Sequence, residues 1–267
     1  MAVITKKWVE QRLGEEVSAN DKARKLYEFL MADAEFNETY RMANKLTVER
    51  LGYNDHGIVH VKIVALNALK ICRLLAKAGV KPTLVKENSG SQEDAEVVVM
   101  LGALLHDIGN AVHRNFHELN GVVLSNPLLK RALPLAYGEK QAEVMRLAVL
   151  ECVFSSYERA PCISVESGIV SVADGTDCVN GRARIPYKVF GKNDIHAVSA
   201  LAIKDLWLGK GKNTPVLIRI DMSNPAGLFQ VQEVLMKKMN SSGIKEFVEL
   251  DLRVNGKKLD TTDLSEL

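Results

Sequence analysis

The sequence predicts a mainly α-helical bundle followed by a small β-α-β appendage, so that the chain as a whole is α+β. Apolar residues recur at helical spacing over about the first 210 residues. Alternation of apolar and polar residues, which is typical of strands, begins only after that point. We therefore predict a helical domain over residues 1–210 and a small α/β appendage over residues 211–267. The helical domain lies within the usual range of domain sizes.

The first half of the bundle follows from this spacing and from capping residues. Between Lys7 and Leu46 the pattern predicts two or three short helices. Asn54 and Asp55, which are good N-cap residues, precede a long apolar helix that ends before Gly79. The polar stretch Lys81–Asp94 has no sustained period and predicts a surface loop.

The later elements include one helix that is apolar almost all round. This helix, Ala95–His106, is typical of the inside of a bundle. The remaining predicted helices of the bundle are His117–Ser125, Glu139–Phe154, Glu166–Val179 and Asp194–Leu208. In the appendage we predict the strands Val216–Asp221 and Phe247–Val254, with the helix Pro225–Met239 between them. The appendage suits ligand binding or dimerisation, and the sequence leaves both open.

Composition and charge limit the function classes. With 47% hydrophobic and 25% charged residues, the 267-residue chain has the composition of an ordinary globular enzyme. Its 35 basic and 33 acidic residues give a net charge of only +2, so no general field attracts nucleic acid or an anionic membrane. The four widely spaced cysteines form no metal-binding or redox motif. Lysines interrupt the N-terminus early and no long apolar stretch exists, which predicts a cytoplasmic protein.

Histidines are concentrated in one part of the sequence. Five of the six lie between residues 56 and 117: His56, His60, His106, His113 and His117. His56 and His60 are four residues apart, as are His113 and His117, so each pair could share one face of a helix. Imidazoles arranged in this way suit a transition metal. The sixth, His196, is predicted to be structural or on the surface.

Carboxylates accompany these histidines on apolar helices. Asp107 directly follows His106 at the end of the most apolar helix, where a buried carboxylate is costly unless it faces a cation. Gly109 would let the chain turn away there. Asp174 and Asp177 follow another apolar run, and their spacing of three residues would let both face inward.

These residues resemble the HD superfamily of metal-dependent phosphohydrolases. The matching pieces are His60 followed by Val64, the run from Ala103 to Gly109 that contains His106-Asp107, and the segment from Asp174 to Asp177. They occur in the order typical of that family, over about residues 50–210. The resemblance implies an HD-type all-α bundle in which His60, His106, Asp107 and Asp174 bind a divalent metal.

The resemblance also implies roles for the other histidines. His56 occupies the position of the histidine that protonates the leaving group in related cyclic-nucleotide phosphodiesterases. His113 and His117 lie roughly where two-metal members, such as the bacterial ribonuclease Y group, have a further histidine, which implies a second metal that shares Asp107. Simpler interpretations stay open: a solvated helix face for His113 and His117, and a helix start for His56, with Asp55 as cap.

Two positions depart from the pattern of members that hydrolyse cyclic dinucleotides. Asn110 stands where those members usually have lysine, and Glu151 or Ser155 stands where they have further histidines. The sequence therefore does not favour a cyclic dinucleotide as the substrate. Glu151 is an alternative ligand for a second metal.

The implied chemistry is hydrolysis of a phosphate ester by a metal-activated water. Asp177 would orient that water or a ligand histidine, or would form a salt bridge, for example to Arg184. Phosphate needs cations nearby, and the candidates in sequence are Lys62, Arg114, Arg182, Arg184 and Lys188. Arg182 and Arg184 are the first choice because a guanidinium suits phosphate oxygens, although a solvated basic turn explains them equally well.

The leading hypothesis is thus a metal-dependent phosphohydrolase or phosphodiesterase acting on a phosphorylated small molecule, with a nucleotide-like substrate expected. Its cofactor would be one or two ions of Mn²⁺, Mg²⁺, Fe²⁺, Ni²⁺, Co²⁺ or Zn²⁺. The alternatives are a di-iron oxygenase and a non-catalytic metal-binding sensor. A nucleic-acid substrate has no support from charge or from a stacking platform, and a homodimer through the appendage stays open.

Overall fold

The computed structural model describes residues 6–53, 56–156, 160–178, 199 and 201–259. Its helices are α1 (Lys6–Val17), α2 (Asp21–Ala32), α3 (Ala34–Asn44), α4 (Ile58–Lys77), α5 (Thr83–Lys86), α6 (Gln92–Leu105), α7 (His117–Ala132), α8 (Glu139–Phe154) and α9 (Val165–Gly175). A π-helical turn, Lys45–Arg50, extends α3, and a 3₁₀ turn, Ile108–Ala111, follows α6. The mainly α-helical fold class is confirmed.

Helices α4 and α6 form the centre of the bundle. They pack against each other, and α1, α8 and α9 pack around them. Eleven of the fourteen residues of α6 and half of the residues of α4 are buried, as the nearly continuous apolar sequence of both helices predicts. The hydroxyl of Tyr40 on α3 donates to the backbone oxygen of Leu104 at 2.6 Å. The centre of the bundle is therefore a rigid support for the residues at the ends of α4 and α6.

The predicted loop Lys81–Asp94 is wrong in part. Its middle forms the short helix α5, and its end forms the first turn of α6. Ser91 and Asp94 make a reciprocal capping box there, which starts the helix three residues before the apolar pattern does. Burial alone would raise the pKa of Asp94, but hydrogen bonds from Lys22 and from Ser91 hold it below the ordinary value.

Other helix bounds differ from the predicted ones. Helix α7 continues to Ala132, well beyond the predicted end at Ser125. Helix α9 ends at Gly175, so Asp177 follows the helix instead of lying on it. Gly57 occupies the N-cap position of α4, and the predicted cap residues Asn54 and Asp55 lie outside the described residues.

The C-terminal part is a small sheet with one helical segment. Its strands are β1 (Ile203–Gly209), β2 (Val216–Met222), β3 (Val248–Val254) and β4 (Lys257–Lys258), in that order across the sheet. Strands β2 and β3 are parallel, with Ile220 opposite Leu252, whereas β1 and β4 pair antiparallel at the two edges. Between β2 and β3 runs a helical segment, residues 227–241, whose middle is a π-helical turn.

Strand β1 contradicts the predicted helix Asp194–Leu208. Residues Ile203–Leu208 belong to this strand and pair with β2, and only residues 199, 201 and 202 before it are helical among the described residues of the range. A few apolar residues interrupted by Lys204 and Asp205 fit either state, and pairing with β2 selects the strand. The sheet thus begins before residue 210, and the predicted domain boundary stays a prediction.

The C-terminal helical segment packs on α9. A Cβ atom added to Gly168 would lie 2.2 Å from the backbone oxygen of Ser242, and one added to Gly175 would lie 2.9 Å from Leu235. Strand β1 contacts α4 at the same time. The appendage is therefore closely fitted to the bundle.

No helix within the described ranges is both long and apolar enough to cross a bilayer.

Candidate metal centre

His60 lies in the first turn of α4 and is fully buried. Its Nδ1 lies 2.7 Å from Oδ2 of Asp177, an acceptor that fixes the imidazole with its proton on Nδ1. Its Nε2 then faces two other carboxylates, 3.2 Å from Oδ1 of Asp174 and 3.4 Å from Oδ2 of Asp107. Asp177, which the sequence suggested for orienting a ligand histidine, has that contact in the structure.

His106 follows the last residue of α6. Its Nδ1 donates to the backbone oxygen of Ala103 at 2.9 Å, so its Nε2 is left as an acceptor. That Nε2 is buried and makes no hydrogen bond with the described part of the chain, and the nearest carboxylate oxygen, Oδ1 of Asp174, is 3.5 Å away. A buried acceptor without a hydrogen bond is costly, and a metal ion would satisfy it.

Asp107 is held by a set of buried neighbours. Asn110 donates from Nδ2 to Oδ1 at 2.9 Å, and Nδ1 of His56 lies 2.6 Å from Oδ2. Burial alone would raise the pKa of Asp107, but the facing histidines, His56 first and then His106, hold it well below the ordinary value. Asn110, which departs from the pattern of the cyclic-dinucleotide enzymes, thus orients this carboxylate.

Asp174 receives a charge from the C-terminal helical segment. Nζ of Lys238 lies 2.8 Å from its Oδ2, and both side chains are largely buried. Burial alone would raise the pKa of Asp174, but Lys238 and then His106 hold it well below the ordinary value. Lys238 was not predicted as a site residue, because Lys237-Lys238 near a helix end has the pattern of a solvated last turn. No feature of the local sequence distinguishes it.

The donor set fits a divalent metal ion. Atoms bound to one ion at about 2.1 Å lie about 3.0–3.4 Å apart. Nε2 of His60 is within 3.2–3.4 Å of one oxygen of Asp174 and one of Asp107, and Nε2 of His106 is 3.5 and 3.7 Å from the same two oxygens. Among the described residues, two groups of three have ligand atoms within 4.8 Å of one another: His56, His60 and Asp107, and His60, His106 and Asp174.

The predicted pair His113 and His117 does not share a helix. Phe116 adopts a left-handed conformation with φ of 61°, so α7 begins only at His117. His117 is buried, with Nε2 3.4 Å from Oδ1 of Asp107. His113 is exposed before the helix and accepts from the backbone N–H of Asn115. The structure brings His117 to the centre and corrects the prediction for His113.

Of the predicted phosphate-binding residues, Arg114 lies nearest to the centre. Its Nη1 is 3.2 Å from Nε2 of His117 and 3.9 Å from Oδ1 of Asp107. Lys62 is not brought there: it donates to Glu10 at 2.7 Å, and two residues along a helix from His60 it faces away from that histidine. This corrects the expectation for Lys62.

The remaining candidates are either outside the described residues or engaged elsewhere. Arg182, Arg184, Lys188 and His196 lie outside the described residues. Glu151, the alternative ligand for a second metal, accepts hydrogen bonds from the hydroxyls of Ser155 and Ser164 at 2.9 and 2.6 Å. No contact between Glu151 and the histidines of the centre is present among the described residues.

Gly109 has a different role from the predicted one. Its backbone is not in the left-handed region. A Cβ atom at this position would lie 1.9 Å from the backbone oxygen of His117 and 2.4 Å from the backbone N of Gly121. Glycine is therefore needed for the close approach of the 3₁₀ turn to α7, which in turn brings His117 to Asp107.

Comparisons with known proteins agree with this geometry. The family model described as HD domain matches residues 57–178, a range that includes His60, His106, Asp107 and Asp174. An uncharacterized protein of Methanocaldococcus jannaschii is 43% identical over 235 residues, which cover 87% of this chain and 90% of that protein. No solved structure matches. The chain belongs to the HD-domain family, and thus to the superfamily of metal-dependent phosphohydrolases.

Proposed function

We propose that the protein hydrolyses a phosphate ester of a small, nucleotide-like substrate, using a divalent ion bound by His60, His106, Asp107 and Asp174. The observation that supports this most strongly is the buried Nε2 of His106, which makes no hydrogen bond to any described residue and faces the same two carboxylates as Nε2 of His60. A bound divalent ion lowers the pKa of a coordinated water from 15.7 to about 7 and offsets charge on phosphoryl oxygens.

The mixed donors favour particular metals. Two imidazole nitrogens and two carboxylate oxygens suit Mn²⁺, Fe²⁺, Co²⁺, Ni²⁺ or Zn²⁺ better than Mg²⁺, which prefers all-oxygen sites. Asp177 would keep the proton of His60 on Nδ1 and its Nε2 available as a ligand. Lys238 would neutralise Oδ2 of Asp174 and leave Oδ1 for the ion.

The geometry also limits a second ion. Nε2 of His60 has one lone pair and its Nδ1 faces Asp177, so His60 serves one ion only. A second ion would therefore use Oδ1 of Asp107 together with Nε2 of His117. Arg114 faces that same nitrogen at 3.2 Å, so it would have to turn away first. We accordingly propose one tightly bound ion and a second that binds more weakly.

His56 is proposed as the proton donor to the leaving oxygen. Its side chain is 15% exposed, against 11% for His117, 1% for His106 and 0% for His60, so it is the most accessible of the four histidines beside Asp107. The carboxylate of Asp107 at 2.6 Å stabilises its protonated form. Arg114, whose side chain is 33% exposed, is the described cation best placed to contact substrate phosphate.

The test is hydrolysis by the purified protein, without oxygen, of nucleoside mono-, di- and triphosphates, cyclic nucleotides and aryl phosphates. Each divalent metal is supplied in turn, bound metal is counted by elemental analysis, and Asp107→Ala is compared with Asp205→Ala, which changes an exposed aspartate of β1. Metal-dependent hydrolysis that is lost only in Asp107→Ala supports the proposal.

The other outcomes distinguish the alternatives. Bound iron with turnover that requires O₂ would identify an oxygenase, which the histidine and carboxylate donors also permit. Bound metal without turnover on any substrate would favour a sensor. A protein that binds no metal under any of these conditions would overturn the proposal altogether.

A further inference from the structure

A groove next to the metal centre runs between α1, α4 and β1, and Asp177 lines it. It has a volume of about 560 Å³, within the range of small-molecule sites. Both tryptophans of the chain line it, Trp8 from α1 and Trp207 from β1. None of the four proposed metal ligands lines it, so the inference below does not rest on the proposed hydrolysis.

The two indole rings are unusually exposed for their size. Trp8 is 41% exposed and Trp207 is 46% exposed. The groove is also lined by leucines, among them Leu66 and Leu206. The ring of Trp207 lies across Gly209, where a Cβ atom would be 2.2 Å from it. Exposed aromatic rings of this kind, one of them fixed in place, suit stacking on a planar ligand.

The groove is also positively charged. It is lined by the cations Arg12, Lys70, Arg73 and Lys77, and by two carboxylates, Glu16 and Asp177. Both carboxylates are engaged, Glu16 with Arg73 and Asp177 with His60. Lys70 and Lys77 form no ion pair with any residue of the described ranges. No carboxylate pairs with these two ammonium groups among the described residues, although that of Lys70 lies over the Trp207 ring, and both could therefore face an anion.

The spacing of the two lysines along α4 matches the length of a small ligand. Nζ of Lys70 lies 6.0 Å from the centre of the Trp207 ring. Lys77 is seven residues further along α4, two turns away on the same face, which is about 10 Å along the axis. Desolvation lowers the pKa of Lys70, although the residue is exposed to solvent.

We infer that this groove binds a nucleoside phosphate, with its base stacked on tryptophan and its phosphates against Lys70 and Lys77. The combination of exposed indoles, an apolar floor and unpaired ammonium groups matches a ligand that has a flat ring at one end and anionic oxygens at the other. A purely apolar ligand would leave the lysines uncompensated, and inorganic phosphate would leave the indoles uncovered.

Intrinsic fluorescence gives a direct test, because both tryptophans of the chain line the groove. The full chain is titrated in EDTA with ATP, GTP and AMP, and with tripolyphosphate, exciting at the long-wavelength edge of indole absorption where bases do not absorb. EDTA keeps the metal centre empty, so no hydrolysis occurs. We expect saturable quenching by the nucleotides and at least tenfold weaker binding of tripolyphosphate.

Variants separate the groove from the metal centre. Lys70→Met with Lys77→Met should weaken nucleotide binding at least tenfold, whereas Lys25→Met with Lys86→Met, which alters two exposed lysines outside the groove, should not. Asp107→Ala should bind nucleotide as the parent does. Trp207→Phe should remove part of the quenching and, as a conservative change, keep the fold.

Four results would overturn the inference. The first is no saturable fluorescence change with any nucleotide. The second is equal affinity of the parent and the Lys70 and Lys77 double variant. The third is loss of binding in Asp107→Ala, which would assign the nucleotide to the metal centre. Tripolyphosphate binding as tightly as ATP would reduce the groove to a simple anion site and would equally contradict it.

Discussion

Replacing Asp177 by asparagine tests the most specific contact of the centre. Oδ2 of Asp177 accepts a hydrogen bond from the N–H at Nδ1 of His60, with 2.7 Å between the two atoms. The side chains of Asp177 and His60 are only 8% and 0% exposed. An asparagine of the same shape loses the negative charge that makes Nε2 a better donor to a metal, and it can present an N–H group instead of an oxygen. The ligand set itself is unchanged.

The expected magnitude is moderate and well above measurement error. Loss of such an orienting partner typically weakens metal binding 10- to 100-fold, which corresponds to about 1.4–2.7 kcal/mol. Metal-stripped parent and Asp177→Asn proteins would be titrated with Zn²⁺, Co²⁺ and Mn²⁺ by calorimetry, with chelator competition where binding is tight. The matched control is Asp205→Asn, which changes an exposed aspartate.

A metal affinity of Asp177→Asn within twofold of that of Asp205→Asn would refute the reasoning. It would mean that the orientation of His60 is set by packing within α4 and not by this hydrogen bond. A fall in affinity together with an unchanged midpoint of thermal unfolding in the absence of metal would show that the carboxylate acts on the ligand and not on the fold.

Three further predictions concern stability. Gly109→Ala should lower the free energy of unfolding by at least about 3 kcal/mol, because the added methyl group meets backbone atoms. Gly14→Ala, which has open space around the added methyl group, should raise the free energy of unfolding by about 1 kcal/mol. Urea titration of both variants and the parent measures these changes. Lys238→Met should cost about 3 kcal/mol without metal and should enlarge the rise in Tm on adding metal, since the ion becomes the main cation facing Asp174; equal rises in parent and variant would contradict this. The depressed pKa of Asp94 stabilises the fold above about pH 4, and this contribution is lost as the pH falls further, so acid should destabilise the parent more than Asp94→Asn, and parallel pH profiles would argue against it.

The main helices and the four proposed ligands could be predicted from the sequence because each depends on a local sequence pattern. Helices α4 and α6 have long apolar periods, and His106-Asp107 follows directly on one of them. The order of the motifs was enough to predict the family, which the comparisons confirm.

What the sequence could not supply depends on contacts between distant residues or on single backbone angles. Strand β1 was predicted as helix because its few apolar residues, interrupted by Lys204 and Asp205, form a strand only by pairing with β2. His113 and His117 are four residues apart, but the left-handed Phe116 lies between them, so the two histidines do not share one face of a helix. Lys238 reaches Asp174 only because α9 and the C-terminal helical segment pack closely.

That contact between Lys238 and Asp174 also affects how the protein is made. Ribosomes release His60 early and Lys238 late, so the carboxylate of Asp174 exists in the nascent chain well before the ammonium that accompanies it. Contacts between such distant parts of a chain form slowly, and N-terminal regions tend to fold first. During that interval Lys238 cannot offset the charge of Asp174, whereas a captured metal ion can. We therefore expect the cellular metal supply to influence the yield of folded protein as well as the proposed activity.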